Sequence, residues 1–145
     1  MPSGALHRTV YMSTAVGVLR AEELDRIYLR SKSANSREGI TGLMLFYEGV
    51  FLQVLEGGRS AVNKLYNRIG ADPRHTDVEL LLYEEIGELR FASWSIGQVN
   101  MSRLNPSLLL KYSATAALDP FSVSGKVSLA LFEELVATAS VIGHA

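Results

Sequence analysis

Cysteine does not occur in this chain of 145 residues. Without a thiol, the protein has neither disulfide bonds nor a thiolate nucleophile, and an iron–sulfur site is excluded. An excess of one charge is also missing, because 14 Lys and Arg residues stand against 15 Asp and Glu residues. This balance argues against a protein that binds nucleic acid or an acidic membrane surface through a basic patch.

Long apolar runs are lacking as well. No run approaches the roughly 20 residues that a membrane-spanning helix needs. The first five residues show no charged segment followed by a long apolar stretch, which argues against a cleaved secretion signal. We therefore expect a cytoplasmic protein. The length suits one domain, whose core is large enough to be stable without disulfide bonds or a zinc site.

Hydrophobic periodicity predicts the order β-α-β-β-α-β-β, followed by two weaker helices. The clearest strand pair is a hairpin around Glu48-Gly49, and the clearest helix follows Gly57-Gly58. The predicted strands are residues 6–12, 43–47, 50–55, 78–86 and 95–101, and the predicted helices are residues 20–33, 59–71, 107–112 and 126–141. This order is typical of an α+β, ferredoxin-like fold with two helices on one face of the sheet.

The second face of such a sheet needs a cover, because soluble monomers rarely expose a large apolar patch. The C-terminal helices carry Leu108, Leu110, Leu129 and Phe132, which can pack there. A dimer or a larger ring would serve equally well.

Gln53 is the first of three polar candidates for a functional site. Alternation in its strand places it on the same side as Phe51 and Leu55. A buried amide has two donor and two acceptor positions, and leaving them unpaired costs on the order of 1–3 kcal/mol. Its partner is either a neighbouring side chain or a ligand heterocycle with donors and acceptors on one edge.

Tyr11 and Asn35 are the other two candidates. A strand tyrosine such as Tyr11 usually belongs to the core, with its hydroxyl bonded nearby. If the first strand pairs with the third, the phenol comes within hydrogen-bond reach of Gln53. Asn35 follows the first helix, where asparagine commonly ends a helix or forms a turn; a ligand contact is the alternative.

The charged residues show no established catalytic pattern. Arg68, Arg74 and His75 cluster at the far end of the second helix and in the loop after it, where they either clamp a phosphate or form a solvated helix end. Glu84 and Glu85 are adjacent in a strand and point to opposite faces, which disfavours a catalytic pair. The histidines lack metal-ligand spacing, and neither a phosphate-binding loop nor a nucleophile elbow is present. The sequence therefore predicts neither a classical hydrolase nor a metal site.

Several blocks in fixed order make the chain resemble the BLUF family, the blue-light sensors that use a flavin, from about residue 6 to residue 101. The blocks are Tyr11, Asn35, Gly39-Ile40-Thr41-Gly42, residues 51–57, Asp72-Pro73-Arg74-His75 and Trp94-Ser95. Residues 109–113 are similar to the tail of short, stand-alone members. The resemblance implies a sensor domain at 1–101 and a C-terminal helical cap at 102–145.

The resemblance also implies a cofactor and its contacts. FAD would lie between the two helices, with FMN or riboflavin as possible replacements in a recombinant host. Asn35 would bond the pyrimidine edge of the ring, and Gln53 would lie between Tyr11 and the N5/C4=O edge. The other implied contacts are Ile27, Ile40 and Ile69 on the ring, Ser31 in the polar shell, and Arg68 and Arg74 at the phosphates.

For such proteins the implied activity is a photocycle without substrate turnover. After blue light, Tyr11 would give an electron and a proton and take them back once the Gln53 amide has rotated or tautomerised. A stronger hydrogen bond at the flavin C4=O would shift the absorption to the red. Trp94 belongs to this photoactive set, and the output would pass through the fifth strand and the C-terminal helices to a partner protein or an assembly.

One position departs from the family pattern. Ile96 stands where methionine usually follows Trp-Ser, and a stiff isoleucine cannot accept the weak hydrogen bond that a thioether accepts. We expect the light reaction to survive, because it needs Tyr11 and Gln53, and the relay through the fifth strand to change, with a larger part for Trp94.

Three other functions fit the same fold. A ferredoxin-like module without a chromophore would sense a small metabolite, with Gln53 and Asn35 as binding amides. A protein–protein adaptor would use its sheet face, and a flavoenzyme would need a second substrate pocket that the sequence does not indicate. The sensor would be coloured by its flavin, whereas the metabolite-sensing module and the adaptor would be colourless.

Overall fold

The computed structural model describes residues 5–47, 49–73, 75–92, 96–99, 124–137 and 141–142. The strands are β1 (Leu6–Ala15), β2 (Thr41–Tyr47), β3 (Val50–Gly58), β4 (His75–Ile86), β5 (Gly97–Val99) and β6 (Val141–Ile142). The helices are α1 (Ala21–Glu38), α2 (Arg59–Gly70) and α3 (Gly125–Ala137). The chain thus has the predicted α+β order, and the predicted helix at 107–112 falls outside the described residues.

One mixed sheet joins all six strands in the order β4-β1-β3-β2-β5-β6. The first four form the antiparallel centre of a ferredoxin-like arrangement, with β1 between β3 and β4. β5 pairs in parallel with β2 at Leu43 and Met44, and β6 pairs antiparallel with β5. The prediction of strand pairing between the first and third strands is confirmed.

Some element boundaries differ from the prediction. α1 continues to Glu38 because Gly39 adopts a left-handed conformation (φ 68°) and closes the helix there, five residues later than predicted. β1 extends three residues further, to Ala15. The predicted last helix ends at Ala137, and Val141 belongs to a short strand, so the prediction of one helix through residue 141 is wrong.

The two faces of the sheet are covered by different helices. On one face, α1 packs over a cluster of Ile27, Tyr28, Met44, Phe51 and Ile96, which we call the α1 cluster. On the same face, α2 packs over a separate cluster of Tyr11, Ile40, Leu55 and Val62, which we call the α2 cluster. Leu65, Tyr66 and Ile69 pack against this cluster.

The opposite face of the sheet packs against α3 in the largest cluster, which contains Val10, Leu52, Leu129 and Phe132. The expected cover by a C-terminal helix is present.

A buried ion pair lies on the α3 side of the sheet. Arg8 donates from Nε to Oε2 of Glu56 at 2.7 Å, and both side chains are almost completely buried. The other carboxylate oxygen, Oε1, accepts the backbone N–H groups of Arg90 and Phe91, each at 2.8 Å. Arg8 also reaches Glu84 on β4 at 2.6 Å. Every charge in this group is paired, which buried charges require.

Gly125 allows α3 to approach the sheet closely. A Cβ atom at this position would lie 2.2 Å from the carbonyl oxygen of Leu81.

We expect Gly125→Ala to lower the free energy of unfolding by about 2 kcal/mol, since the helix must shift away from β4. Chemical denaturation measures this loss. Gly70→Ala is the matched control, because its Cβ meets nothing within 4 Å and should leave stability unchanged or raise it. Equal losses in both variants would contradict the close approach.

Candidate functional site

A cleft lies between α1 and α2, on the face of the sheet opposite α3. It takes side chains from both helices and from strands β1, β2 and β3. Its lining consists of Tyr11, Ile27, Arg30, Ser31, Asn35, Met44, Phe51, Gln53, Leu65, Ile69 and Asp72. Six of the residues singled out from the sequence therefore face one space: Tyr11, Ile27, Ser31, Asn35, Gln53 and Ile69.

Tyr11 and Gln53 form the floor of the cleft. They are directly opposite in the β1–β3 pairing, so their side chains emerge side by side on one face. The Tyr11 hydroxyl donates a hydrogen bond to Oε1 of Gln53. Both side chains are buried, Tyr11 fully and Gln53 to all but 6%. This hydrogen bond is the contact that the predicted strand order allowed.

Burial also sets the acidity of Tyr11. Desolvation raises the pKa of its phenol well above the usual value of 10.0, and the neighbouring Tyr66 raises it further. The two rings meet edge to face with centroids 5.5 Å apart. Tyr11 therefore remains a protonated hydrogen-bond donor throughout the physiological pH range.

Asn35 reaches the cleft from the last turn of α1. Its backbone carbonyl accepts the N–H of Gly39 and that of Ile40 at 2.9 Å, which fixes the position of this turn. The residue is only 1% exposed. Gly39, and not Asn35, therefore takes the helix-ending role that the sequence suggested for asparagine, whereas the side chain of Asn35 faces the same cleft as Gln53.

The walls of the cleft are aliphatic and belong to different packing units. Ile27 comes from the α1 cluster, whereas Leu65 and Ile69 accompany the α2 cluster. The cleft between these walls measures about 70 Å³. Two aliphatic walls, a floor with an amide and a phenol, and a second amide at one end suit a flat aromatic group with a polar edge.

The remaining predicted residues lie elsewhere. Ile40 is buried in the α2 cluster beside Tyr11 and does not line the cleft. Arg68 is more than half exposed and faces Glu38 at 3.5 Å, also outside the lining. Arg74 and Trp94 lie outside the described residues. Ile96 is fully buried in the α1 cluster.

Sequence reasoning missed five residues of the lining. Alternation in β3 places Phe51 on the same side as Gln53, and the same alternation in β2 identifies Met44. Arg30 and Leu65 stand three and four residues from Ile27 and Ile69, which places each pair on one helical face. Asp72 lies beyond α2, in a connection whose path no periodicity predicts.

Two negative observations concern the described part of the chain. No three His, Asp or Glu side chains there come close enough to hold a metal ion. None of the helices in the described ranges combines the length and hydrophobicity that crossing a bilayer requires.

Comparison with known proteins points to one family. The family model described as sensors of blue-light using FAD (BLUF) matches residues 6–97. The photoactivated adenylate cyclase subunit beta of Euglena gracilis is 37% identical over 87 residues, which is 59% of this chain and 10% of that protein. Subunit alpha from the same organism is 34% identical over 90 residues. The chain thus spans about a tenth of these curated relatives.

Solved structures extend the similarity to most of the chain. The dark-state structure of BlrB, a BLUF protein, is 29% identical with a TM-score of 0.76 and covers 93% of this chain and 97% of its own. A bacterial light-regulated adenylyl cyclase is 30% identical with a TM-score of 0.67, over 92% of this chain and 35% of its own.

Proposed function

The chain belongs to the BLUF family of blue-light sensors that use FAD, and from that premise we propose that it binds FAD between α1 and α2 and signals light through Tyr11 and Gln53. The family binds flavin and acts as a photosensor module. The observation that carries the proposal is the buried hydrogen bond from Tyr11 to Gln53, which faces the cleft. Such a pair can act as a switch, because the Gln53 amide has both donor and acceptor groups and can be bonded to the phenol in alternative arrangements.

The chemistry of the lining suits a flavin ring. Asn35 and Gln53 supply amides for the polar edge of the ring, and Tyr11 holds Gln53 in one orientation. Because Oε1 of Gln53 accepts from Tyr11, its NH₂ group is the donor left for a ligand in the cleft. Ile27 and Ile69 form the apolar walls.

Secondary contacts complete the proposed binding site. Ser31 lies in the cleft lining, Ile40 belongs to the same buried cluster as Tyr11, and Arg68 has an exposed guanidinium at the end of α2. We assign Arg68 and Arg74 to the phosphates. FAD is the proposed flavin because the family description names it, although a neighbour, Klebsiella pneumoniae BlrP1, holds FMN.

In the light reaction, the flavin would supply light absorption and accept one electron. Tyr11 would transfer an electron to the bound flavin and its phenolic proton along its hydrogen bond to the Gln53 amide, and both would later return to Tyr11. Meanwhile the Gln53 amide rotates or tautomerises, so that a different group faces the ligand. No bond in a substrate is broken, and we therefore propose a sensor that performs no turnover.

The output is proposed to leave through β5 and the C-terminal helices, with Trp94 taking part. Ile96 supports this route, since it immediately precedes β5 and packs in the same cluster as Phe51 of the cleft. We propose a sensor domain at 1–101 and a cap at 102–145, which fits the family match at 6–97. The proposed recipient is a partner protein or a homo-oligomer, in the cytoplasm.

Absorption spectroscopy before and after a blue flash tests the proposal. We expect a bound flavin whose spectrum shifts to the red and returns in darkness. A flavin that bleaches would indicate redox chemistry and contradict the hydrogen-bond switch. A protein that stays colourless after incubation with FAD would favour a small-molecule sensing module without a chromophore.

A further inference from the structure

A second groove lies on the flank of α2 that faces β4, outside the proposed flavin site. It measures about 290 Å³, roughly four times the cleft between the helices. Its lining consists of Thr9, Asn63, Tyr66, Asn67, Leu80 and Tyr83. Apart from Tyr66, which touches Tyr11, none of these side chains has a part in the function proposed above.

Thr9 forms the floor of this groove and lacks a hydrogen-bond partner. The residue is only 2% exposed, and its hydroxyl oxygen is buried without a partner in the structure. Buried hydroxyl groups are almost always paired, and an exception requires an explanation. A polar group of a molecule in the groove would give Thr9 the missing hydrogen bond.

The walls of the groove are aromatic and held in place. Tyr83 lies directly opposite Thr9 in the β1–β4 pairing, and the ring of His7 stacks on it with centroids 5.1 Å apart. Tyr66 lines the groove from α2. Leu80 and Tyr83 are each 48% exposed, so flat apolar surface is accessible to a ligand.

The polar groups of the groove are uncharged. Asn63 and Asn67 are four residues apart on α2, and both side chains line the groove. Each amide offers a donor and an acceptor, and no charged residue belongs to the lining. A charged ligand would lose hydration there without gaining a counter-charge.

We propose that this groove binds a small, neutral, planar molecule that carries a hydrogen-bond donor and an acceptor on one edge, as in a heteroaromatic ring with an amide. The rings of Tyr66 and Tyr83 contact its faces, the two asparagines pair with its edge, and Thr9 hydrogen-bonds to it at the floor. The site lies beside the sensor and does not require the flavin.

The groove also touches the light-reactive residue through one ring. Tyr66, which lines the groove, packs edge to face against Tyr11. A bound ligand therefore restricts a ring in contact with Tyr11. This second part of the inference rests on the proposed function: occupancy changes the rate at which the light state returns in darkness.

Nicotinamide is a suitable probe, because it is neutral and planar and carries an amide; benzoate has the same shape with a negative charge. The titration is followed by NMR on the flavin-bound protein in darkness. We expect saturable shifts at Thr9 and at the side-chain amides of Asn63 and Asn67, with a dissociation constant on the order of 1 mM for so small a ligand. Benzoate should give no saturable shift. Absence of saturation by nicotinamide, or equal binding of benzoate, overturns the proposal.

Thr9→Val removes the hydroxyl and keeps the shape of the side chain. We expect it to weaken nicotinamide binding by about fivefold, the value of one ordinary hydrogen bond, while the protein remains folded. Thr41→Val is the matched control, because Thr41 also carries a buried unpaired hydroxyl but lies on β2, outside the groove. Unchanged affinity in Thr9→Val, or equal weakening in both variants, overturns the assignment of Thr9.

The rate of dark return after a flash tests the second part. Saturating nicotinamide should change the rate in the parent protein and, at the same concentration, change it less in Thr9→Val. Saturable binding with an unaltered rate would overturn the coupling through Tyr66 and leave the site standing. A protein without a photocycle would overturn the proposed function, whereas the NMR titration would still decide the groove.

Discussion

Tyr11→Phe is expected to abolish the red shift after a blue flash while flavin remains bound. The variant keeps the ring that packs in the α2 cluster and against Tyr66. It removes the hydroxyl that donates to Oε1 of Gln53, together with the phenolic proton that the proposed reaction moves. The light-minus-dark absorption spectrum measures the loss, and the flavin content of the purified protein shows that the site is intact.

Tyr28→Phe is the control for removing a buried tyrosine hydroxyl. Tyr28 lies in the α1 cluster, on the same face of the sheet, and does not line the cleft. Its variant should keep the full red shift. A normal shift in Tyr11→Phe would refute the role of Tyr11, and loss of the shift in both variants would mean that general disturbance of the core explains the result.

Glu56→Ala is expected to lower the free energy of unfolding by about 3–5 kcal/mol, because it leaves the buried Arg8 without its main partner. The same change removes the acceptor for the N–H groups of Arg90 and Phe91. The segment after β4 thus loses two backbone anchors, although Arg90 still pairs with Glu133 on α3. Denaturant titration monitored by circular dichroism measures the change.

Glu84→Ala supplies the comparison. Glu84 contacts the same arginine, but its side chain is 36% exposed, and partly exposed ion pairs contribute about 1 kcal/mol or less. We expect its variant to lose far less stability than Glu56→Ala. Similar small losses in the two variants would show that Arg8 finds other partners, and that the buried ion pair is not essential to the sheet.

The sequence predicted the centre of the site because two simple rules apply there. Alternation in β3 fixed the side of Gln53, and the ferredoxin-like order placed β1 beside β3, so Tyr11 and Gln53 had to meet. These inferences depend on local periodicity and one strand order, which a sequence shows directly.

Other features depend on register and long-range pairing. Arg8 and Glu56 look like surface charges in the sequence, yet they are partners across β1 and β3. β6 pairs with β5, although the helical pattern predicts a helix that continues to Val141, the first residue of β6. The groove beside β4 arises from the packing of α2 on Thr9 and Tyr83, and no single segment predicts it.

The carboxylate of Glu56 has a consequence for how the molecule can move. It stands three residues after Gln53 on β3, on the opposite face, and holds four N–H groups. A slip of β3 by one residue would turn Glu56 towards the cleft and Gln53 into the apolar core under α3. β3 is therefore fixed in register. The proposed light response is left to side chains that rotate in place and to the three-residue strand β5, which pairs with β2 at two positions.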